Sequence, residues 1–289
     1  MRPLALLLLL LLAAPLQAQE LRLTTWNIAW LTLRPAQDPM IPADITRRGP
    51  ADFDRLQAYA RRLEADIIAL QEVDGPEAAA RIFSPRDHAF FFPDEDDVQR
   101  AGFAVRRHLR VTQNPDLAAL DLVPHARLSQ RRGTDITVEW EGRRLRLLSI
   151  HLAGGCASGP LDAGRNRNCA NLAEQSAILA GWIAAREREG VAYAILGDFN
   201  RRMDHPRDEM TATLGAAGRL LRATEGASNP CWADSRGGRP FISHILLGGP
   251  ARNWMQPGSL RVMVYAERAP VMRDLISDHC PISIRLRAR

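Results

Sequence analysis

The clearest feature of this chain is a series of apolar runs of strand length, several of which end in polar residues. The run at residues 191–196 is apolar throughout and suits a buried strand. Gly197 interrupts it, and Asp198 and Asn200 follow on the loop at the strand's carboxyl end. In open α/β sheets that end is where ligands bind. Taken alone, the segment also fits an ordinary turn, because Gly, Asp and Asn are all turn formers.

Apolar periodicity predicts the remaining elements. Strands and helices alternate early in the chain, whereas hairpins dominate its middle. This mixture favours an α/β fold of four layers, in which two mixed β-sheets pack face to face and helices cover the outside. Strands are predicted at residues 21–28, 66–72, 89–92, 102–105, 134–140, 144–150, 241–247, 259–265 and 281–286, and helices at residues 52–65, 76–83, 172–188 and 207–214.

The amino terminus has the pattern of a secretory signal peptide. Arg2 precedes an apolar run at residues 4–12, and Ala18 supplies a small residue at a plausible cleavage site. A membrane-spanning helix needs about 20 apolar residues, so this run is too short to anchor the chain. We therefore expect residues 1–18 to be removed, and the protein to be secreted or periplasmic.

The rest of the chain shows no linker, no fixed-period repeat and no second long apolar stretch. Residues 19–289 are therefore predicted to form one catalytic-size α/β domain without a transmembrane segment. We expect this domain to be a monomer.

All 38 basic residues are arginine, and the formal net charge is +5. A GC-rich genome explains the absence of lysine, but the physical consequence holds regardless of its cause. Each guanidinium is a planar fork suited to bidentate phosphate contacts. The modest net charge permits a polyanionic partner without demanding one.

Four cysteines, Cys156, Cys169, Cys231 and Cys280, occur in a chain that is predicted to be exported. Disulfides persist in such an environment. Three pairings are possible. We favour Cys156–Cys169, which would close a short polar loop, together with Cys231–Cys280. A zinc site is the alternative, but no Cys-x-x-Cys spacing supports it.

Polar residues of a particular kind stand at or just after the ends of the predicted strands. Carboxylate and carboxamide oxygens are hard ligands that suit Mg²⁺ or Mn²⁺. Histidines move protons at neutral pH. Together with arginine, these groups fit phosphate-ester hydrolysis better than acyl transfer. The residues are Asn27, Glu72, His151, Asp198, Asn200, Asp278 and His279.

Five short motifs resemble, in order, those of the endonuclease/exonuclease/phosphatase superfamily, which includes deoxyribonuclease and sphingomyelinase branches. Singly each motif is weak, but the ordered set covers nearly all of the predicted mature chain. The resemblance implies a secreted bacterial phosphodiester hydrolase in which a water attacks phosphorus in line. The motifs are Trp26-Asn27, Leu70-Gln-Glu-Val73, His151-Leu152, Gly197-Asp-Phe-Asn200 and Ser277-Asp-His-Cys-Pro281.

The resemblance implies a divalent cation, Mg²⁺ or else Mn²⁺ or Ca²⁺, and residues that would hold it. Glu72 corresponds to the principal metal ligand, with Asn27 beside it, and Asp278 would lie on the metal side of the site. A metal and a protonated histidine together would neutralise charge that develops on the phosphoryl oxygens.

The same resemblance assigns the catalytic groups. Asp198 would orient or deprotonate the attacking water, and Asn200 would hold a phosphate oxygen. His279 would face the scissile phosphate. His151 matches the second histidine of the deoxyribonuclease and sphingomyelinase branches.

One position departs from the family pattern. An aspartate normally braces the last histidine from the preceding strand, but this chain has Ser243 there. A hydroxyl can still bond to the ring, although it stabilises an imidazolium less than a carboxylate would. Asp234 and Asp274 are candidates to substitute for the missing acid. Arg132 and Arg165 are predicted to contact phosphate.

Three functions are compatible with this pattern. The first is a nuclease that cuts DNA or RNA, which the basic balance and the histidine pair favour. The second is hydrolysis of a phospholipid or small phosphate ester, for which Trp254 and Met255 on an exposed turn would supply a membrane contact. The third is a catalytically weakened polyanion-binding protein, which only Ser243 supports.

Overall fold

The structure is a computed structural model that describes residues 20–124, 130–161, 166–232 and 240–288. The predicted signal peptide lies outside these residues. The strands in the described ranges are β1 (Leu21–Leu31), β2 (Ile67–Val73), β3 (His88–Phe91), β4 (Arg100–Arg106), β5 (Arg110–Gln113), β6 (Thr134–Trp140), β7 (Arg143–His151), β8 (Ala192–Asp198), β9 (Leu221–Arg222), β10 (Ser243–Gly248), β11 (Arg261–Val262) and β12 (Ile282–Leu286). The α-helices there are α1 (Pro50–Leu63), α2 (Gly75–Ala80), α3 (Arg167–Glu189), α4 (Glu209–Ala217) and α5 (Met272–Leu275).

Within the described ranges the strands form two six-stranded mixed sheets, as predicted. One sheet has the order β11-β12-β1-β2-β4-β3, and the other has the order β5-β6-β7-β8-β10-β9. Each contains one parallel pair near its centre, β1 with β2 and β7 with β8, while the other pairs are antiparallel. The two sheets therefore have matching architectures, each with the carboxyl ends of two parallel strands at its centre.

Side chains that alternate along the strands build the core between the sheets. In β2, Ile67 and Ala69 point into an apolar cluster that also contains Ala194 and Leu196 of β8. Their neighbour Ile68 belongs to a different cluster on the outer face. Because successive side chains of a strand point to opposite faces, central strands covered on both sides are apolar at nearly every position.

Helices cover both outer faces and complete the four layers. On the first sheet, Phe53, Leu56 and Tyr59 of α1 pack in one cluster with Ile68. On the second sheet, Leu179 of α3 packs in another cluster, with residues of β7 and β8. The apolar faces of the helices and the outward positions of the strands thus bury one another, as the four-layer prediction required.

Three elements differ from the sequence prediction. The strand expected at residues 259–265 is reduced to the two-residue β11, and two edge strands, β5 and β9, were not predicted. All three lie at sheet edges, where a strand pairs on one side only. Such strands bury little apolar surface, so their sequences carry a weak pattern.

Both favoured disulfides are present, Cys156–Cys169 and Cys231–Cys280, so the zinc alternative is wrong. Trp254 also differs from expectation. It was placed on an exposed turn as a membrane contact, but it is 5% exposed and packs edge-on against Trp140 in the core. Among the helices of the described residues, none is long and apolar enough to span a bilayer.

Candidate active site

Strand alternation brings polar groups to one end of the sandwich. In β1, the face that places Leu21 and Leu23 in the core continues through Thr25 to Asn27. In β7 the corresponding face runs from Leu147 to His151. Because β1 and β7 each run parallel to a neighbour, their inward positions change from apolar to polar at the same end of the molecule.

Asp198 and Ser243 lie on the same inward face of the second sheet. Asp198 follows Ala194 and Leu196 at the carboxyl end of β8, and it is paired in register with both His151 and Ser243. Three polar side chains thus stand side by side over the end of the apolar core.

Glu72 reaches this site through a break in the strand. Gln71 occupies the inward position of β2, so regular alternation would send Glu72 to the outer face. The register shifts between Leu70 and Val73, however, and Glu72 has a left-handed backbone with φ of 57°. Such irregularities re-aim a side chain. The carboxylate consequently turns toward the other polar groups.

Asn27 joins the two carboxylates. Its Nδ2 donates hydrogen bonds to Oε1 of Glu72 at 2.9 Å and to Oδ2 of Asp198 at 3.1 Å. The backbone N–H of Trp30 and Nε2 of Gln99 donate to the second oxygen of Glu72, at 3.1 and 2.7 Å. The two acids are thus fixed relative to each other by an amide that bridges the sheets.

Two histidines approach the same carboxylates. Nε2 of His151 lies 3.8 Å from Glu72 and 3.9 Å from Asp198, and the His151 side chain is 5% exposed. Nε2 of His279 lies 3.5 Å from Asp198 and 3.9 Å from the largely exposed Asp278. Five predicted site residues therefore fall within one connected cluster.

His279 is positioned through both its ring and its backbone. Oγ of Ser243 lies 3.0 Å from its Nδ1, so the serine occupies the bracing position. The Ser277 hydroxyl accepts from the His279 N–H and donates to the Asn27 carbonyl. Tyr265 donates to the His279 carbonyl at 2.6 Å while accepting from the indole of Trp26. These contacts tie the last motif to the first.

Asn200 follows Asp198 in a left-handed conformation with φ of 52°. Its backbone N–H donates to Oδ1 of Asp198, and its Nδ2 donates to the Leu152 carbonyl, both at 2.9 Å. This places the carboxamide beside the loop that begins after His151. Asn200 is part of the same site, although these bonds occupy one of its amide protons.

Burial raises the pKa of Glu72 above the ordinary carboxyl value, against the opposing effect of the Asn27 hydrogen bond. Burial likewise raises the pKa of Asp198, and the charge of His279 opposes it. Two desolvated acids bridged by an amide favour a nearby positive charge.

The two histidines differ in their tendency to carry that charge. Burial lowers the pKa of His151 well below its ordinary value, and the charge of Arg131 acts in the same direction. Burial also opposes protonation of His279, but Asp198, Asp278 and Glu72 outweigh it and raise its pKa. His151 is therefore the neutral imidazole of the pair, and His279 is the one that holds a proton.

The oxygen-rich donors fit a hard divalent cation. Glu72 and Asn27, with Asp278 at the rim, offer the carboxylate and carboxamide groups that Mg²⁺ prefers. Within the described ranges, no three acidic, histidine or cysteine side chains form a ready-made metal cage. A cation held by one or two carboxylates, with water and substrate oxygens as further ligands, is the usual arrangement for Mg²⁺.

The predicted phosphate-binding arginines have different outcomes. Arg132 is engaged by the acidic turn: its Nη1 donates to the Asp94 carbonyl at 3.0 Å, and its backbone N–H donates to Glu95. Its neighbour Arg131 lies closer to the site and donates to the Leu152 carbonyl at 2.9 Å. Arg165 lies outside the described residues, as does Asp234. Asp274 lines a cavity together with His279.

Sequence reasoning missed several supporting residues. Gln99 contacts Glu72 directly, yet nothing in its sequence context separates it from other polar residues. Arg48 donates to five backbone carbonyls, two of them in the segment before the last motif, and burial lowers its pKa to about 10. Only its place in an otherwise irregular loop could have drawn attention to it.

Solved structures with the same fold include several enzymes of nucleic-acid metabolism. D. rerio TDP2 complexed with a single-strand DNA product is 17% identical, with a TM-score of 0.57, over 93% of this chain and 99% of that one. The human Nocturnin catalytic domain is 16% identical, with a TM-score of 0.56, over 92% and 93% of the two chains. The endonuclease domain of TRAS1, a telomere-specific non-LTR retrotransposon, is 18% identical, with a TM-score of 0.54, over 93% and 99%.

No curated protein matches the chain in sequence. The model of the Endonuclease/Exonuclease/phosphatase family, however, matches residues 24–279, from the first strand to the last catalytic-type histidine. That range contains all five motifs and every residue of the cluster. The chain belongs to the endonuclease/exonuclease/phosphatase family.

Proposed function

We propose that this protein is a divalent-metal-dependent phosphodiesterase that cuts nucleic acid. Family membership makes it a hydrolase of phosphoric esters. The observation that carries the narrower proposal is the convergence of Glu72, Asp198, His151 and His279 within 4.0 Å contacts at one end of the sandwich. These residues are far apart in sequence, and a shared site is the physical reason to bring buried charges together.

The chain's own groups divide the work of hydrolysis. Asp198 is a buried base whose orientation is fixed by the Asn200 N–H and the Asn27 amide, so it can accept a proton from an attacking water. His279 holds a proton at Nε2 and can donate it to a phosphoryl or leaving-group oxygen. Ser243 keeps the ring in place through Nδ1.

Glu72 and Asn27 would hold the divalent cation, with Asp278 close by. When bound, the cation supplies positive charge that stabilises the developing charge on the phosphoryl oxygens. His151, as a neutral ring between the two carboxylates, can hydrogen-bond to a phosphate oxygen without adding charge. Asn200 adds a polar contact for the same group.

Two features favour nucleic acid over other phosphodiesters. The cationic side chains are all arginine, whose fork matches phosphate geometry. The buried position of Trp254 removes the only apolar contact that was suggested for a membrane substrate. The described D. rerio TDP2 structure holds a single-strand DNA product on the same fold.

The proposal extends to the setting of the enzyme. We propose that residues 1–18 direct export and that residues 19–289 act as one monomeric domain in the periplasm or outside the cell. Two disulfides support an oxidising environment.

The proposed function is tested by assaying plasmid DNA, RNA, sphingomyelin vesicles and a chromogenic phosphodiester with Mg²⁺, Mn²⁺ or Ca²⁺, and again with EDTA. We expect metal-dependent cleavage of nucleic acid. Glu72→Gln should lower kcat at least about a hundredfold, because it removes the charge that attracts the cation. Glu77→Gln, the same change on an exposed helix of the first sheet, should be without effect.

Release of phosphocholine without any action on nucleic acid would favour the phospholipid reading. Nucleic-acid binding that survives both chelation and His279→Ala, without turnover, would favour the polyanion-binding reading. Either result would reject the nuclease proposal.

A further inference from the structure

Two cavities adjoin at the second sheet, and only one of them contains the catalytic groups. The first, of about 390 Å³, is lined by Ser243, Asp278 and His279. The second, of about 730 Å³, lies under the loop at residues 158–160 and reaches the start of α4. Arg202 lines both cavities, and so does Pro240. A group bound to the first cavity can therefore extend into the second past Arg202.

The second cavity is rigidly built. The guanidinium of Arg201 is 2% exposed, bonds to Asp208 at 2.6 Å, and donates to the carbonyls of Cys156 and Gly159. The Cys156–Cys169 disulfide anchors the same loop. A site held open by a buried ion pair and a disulfide needs little ordering when a ligand binds.

The charges around the second cavity are unequal in their engagement. Its acidic residues are all occupied: Asp208 by Arg201, Asp204 by Arg222, and Glu209 by the backbone N–H of Leu161. Within the described part of the chain, the side chains of Arg202 and Arg207 have no hydrogen bond or ion pair. The backbone N–H of Arg202 is nevertheless fixed, because it donates to the Ala157 carbonyl at 2.8 Å.

The rest of the lining is suited to a flat organic group. Three proline rings, those of Pro160, Pro206 and Pro240, face the cavity together with His205. Its volume lies in the range of about 300–1,000 Å³ that is typical of sites for small organic ligands. An apolar cavity with an arginine at its entrance fits a nucleoside with a phosphate attached.

We propose that the second cavity binds the nucleoside next to the scissile bond and that Arg202 binds the phosphate beyond it. The inference rests on the proposed phosphodiesterase function and narrows it to substrates with at least two phosphates, that is, to oligonucleotides. Arg202 is a specificity residue in this arrangement, and it takes no part in proton transfer.

The test compares a short single-stranded oligodeoxynucleotide with bis(p-nitrophenyl) phosphate, which carries one phosphate, as substrates of the Mg²⁺-supplied protein. Arg202→Ala should raise KM for the oligonucleotide about tenfold, the value of one charge-assisted contact, and leave hydrolysis of the small ester nearly unchanged. Arg202→Lys should restore part of the loss. Arg188→Ala removes an equal charge from an exposed position at the end of α3 and should change neither substrate.

A second variant, Ser158→Trp, fills the cavity from its exposed rim and should cause the same selective rise in KM. Equal effects of Arg202→Ala on both substrates, or none on the oligonucleotide, would overturn the role of Arg202. An unchanged KM in Ser158→Trp would overturn the nucleoside site.

Binding separates this inference from the proposed function. In the Glu72→Gln background, Arg202→Ala should weaken anisotropy-detected oligonucleotide binding and reduce the salt dependence by about one phosphate contact. If the parent protein binds oligonucleotide through Arg202 but cleaves none, the proposed function fails and the binding site stands. If it cleaves oligonucleotide and Arg202→Ala binds normally, the binding site fails alone.

Discussion

At the scale of single residues, the site is held by backbone conformations that side chains rarely adopt. Glu72 and Asn200 have φ values of 57° and 52°. Such positions cost of order 1–3 kcal/mol each and persist only where the surroundings enforce them. Here the enforcing contacts are the hydrogen bonds that fix each residue to Asn27, Asp198 or the neighbouring loop. The strain is concentrated on residues that carry the chemistry.

Ser243→Ala tests the bracing of His279 at the same scale. The variant loses the 3.0 Å contact to Nδ1, so the ring is less well oriented. We expect kcat to fall by up to about tenfold with little change in KM, which is the value of one neutral hydrogen bond. Ser259→Ala, at a buried serine that contacts Arg285, is the control in steady-state assays. An undiminished kcat in Ser243→Ala would show that the serine does not position the ring.

His244 provides a prediction of stability against pH. Burial lowers its pKa to about 4, and it is held neutral between Thr224 and the Arg201 carbonyl. Between its ordinary pKa of about 6.5 and its folded value, the unfolded state binds more protons, so stability must fall as pH falls. We expect a loss of about 3 kcal/mol of unfolding free energy between about pH 7.5 and pH 4 from this group.

Urea denaturation of the parent protein and of His244→Gln at both pH values measures this loss. The comparison is needed because Glu95, whose pKa burial raises to about 7, contributes the opposite slope in both proteins. Parallel pH profiles for the two proteins would contradict the prediction.

At the scale of elements, the site depends on how closely β7 and β8 approach. A Cβ at Gly197 would lie 2.0 Å from the Ile150 carbonyl oxygen, and its φ of 153° disfavours any side chain. Glycine is thus required to bring Asp198 level with His151 in the parallel register. The same glycine that ends the apolar run also permits the strand pairing.

Gly197→Ala should destabilise the fold by more than about 3 kcal/mol through this clash. Gly181→Ala is the matched control, because Gly181 lies in α3 with nothing near its Cβ position. That change should stabilise by about 0.5–1 kcal/mol, since glycine is unfavourable within helices. Thermal unfolding of both variants decides the matter, and a mild effect at residue 197 would be inconsistent with the observed approach of the strands.

At the scale of the whole molecule, two sheets present their carboxyl-end polar groups to each other across a shared apolar core. The last motif is added by the segment after α5, which Arg48 and Tyr265 attach to β1. The Cys231–Cys280 disulfide secures that segment immediately after His279. Global folding and site assembly are therefore linked through the final 50-residue region.

Removing Cys231–Cys280 by a double serine substitution should cost about 4 kcal/mol, against about 3 for Cys156–Cys169, because its loop of 49 residues exceeds the other loop of 13. It should also lower kcat more at temperatures where both variants remain folded. Circular dichroism melts and activity at matched folded fractions provide the measurement. The reverse order of either effect would show that the bond does not support His279.

The sequence by itself determined the strand pattern of the central strands, the fold class, the cysteine pairing that was preferred, and the residues at strand ends. These features are local, because alternation, turn chemistry and motif order are written in neighbouring positions. Edge strands and the burial of Trp254 were missed or misplaced, because both depend on packing partners that are remote in sequence.

Only the tertiary structure decided which polar groups meet. It brought Gln99 to Glu72, set Ser243 against His279, separated the buried Arg201 from the exposed Arg202, and engaged Arg132 with the acidic turn. Each outcome follows from the facing of two sheets and the bulge in β2, which no local pattern specifies. Identity and order of residues predict a site's components, whereas distances and charges between distant segments exist only once the chain has folded.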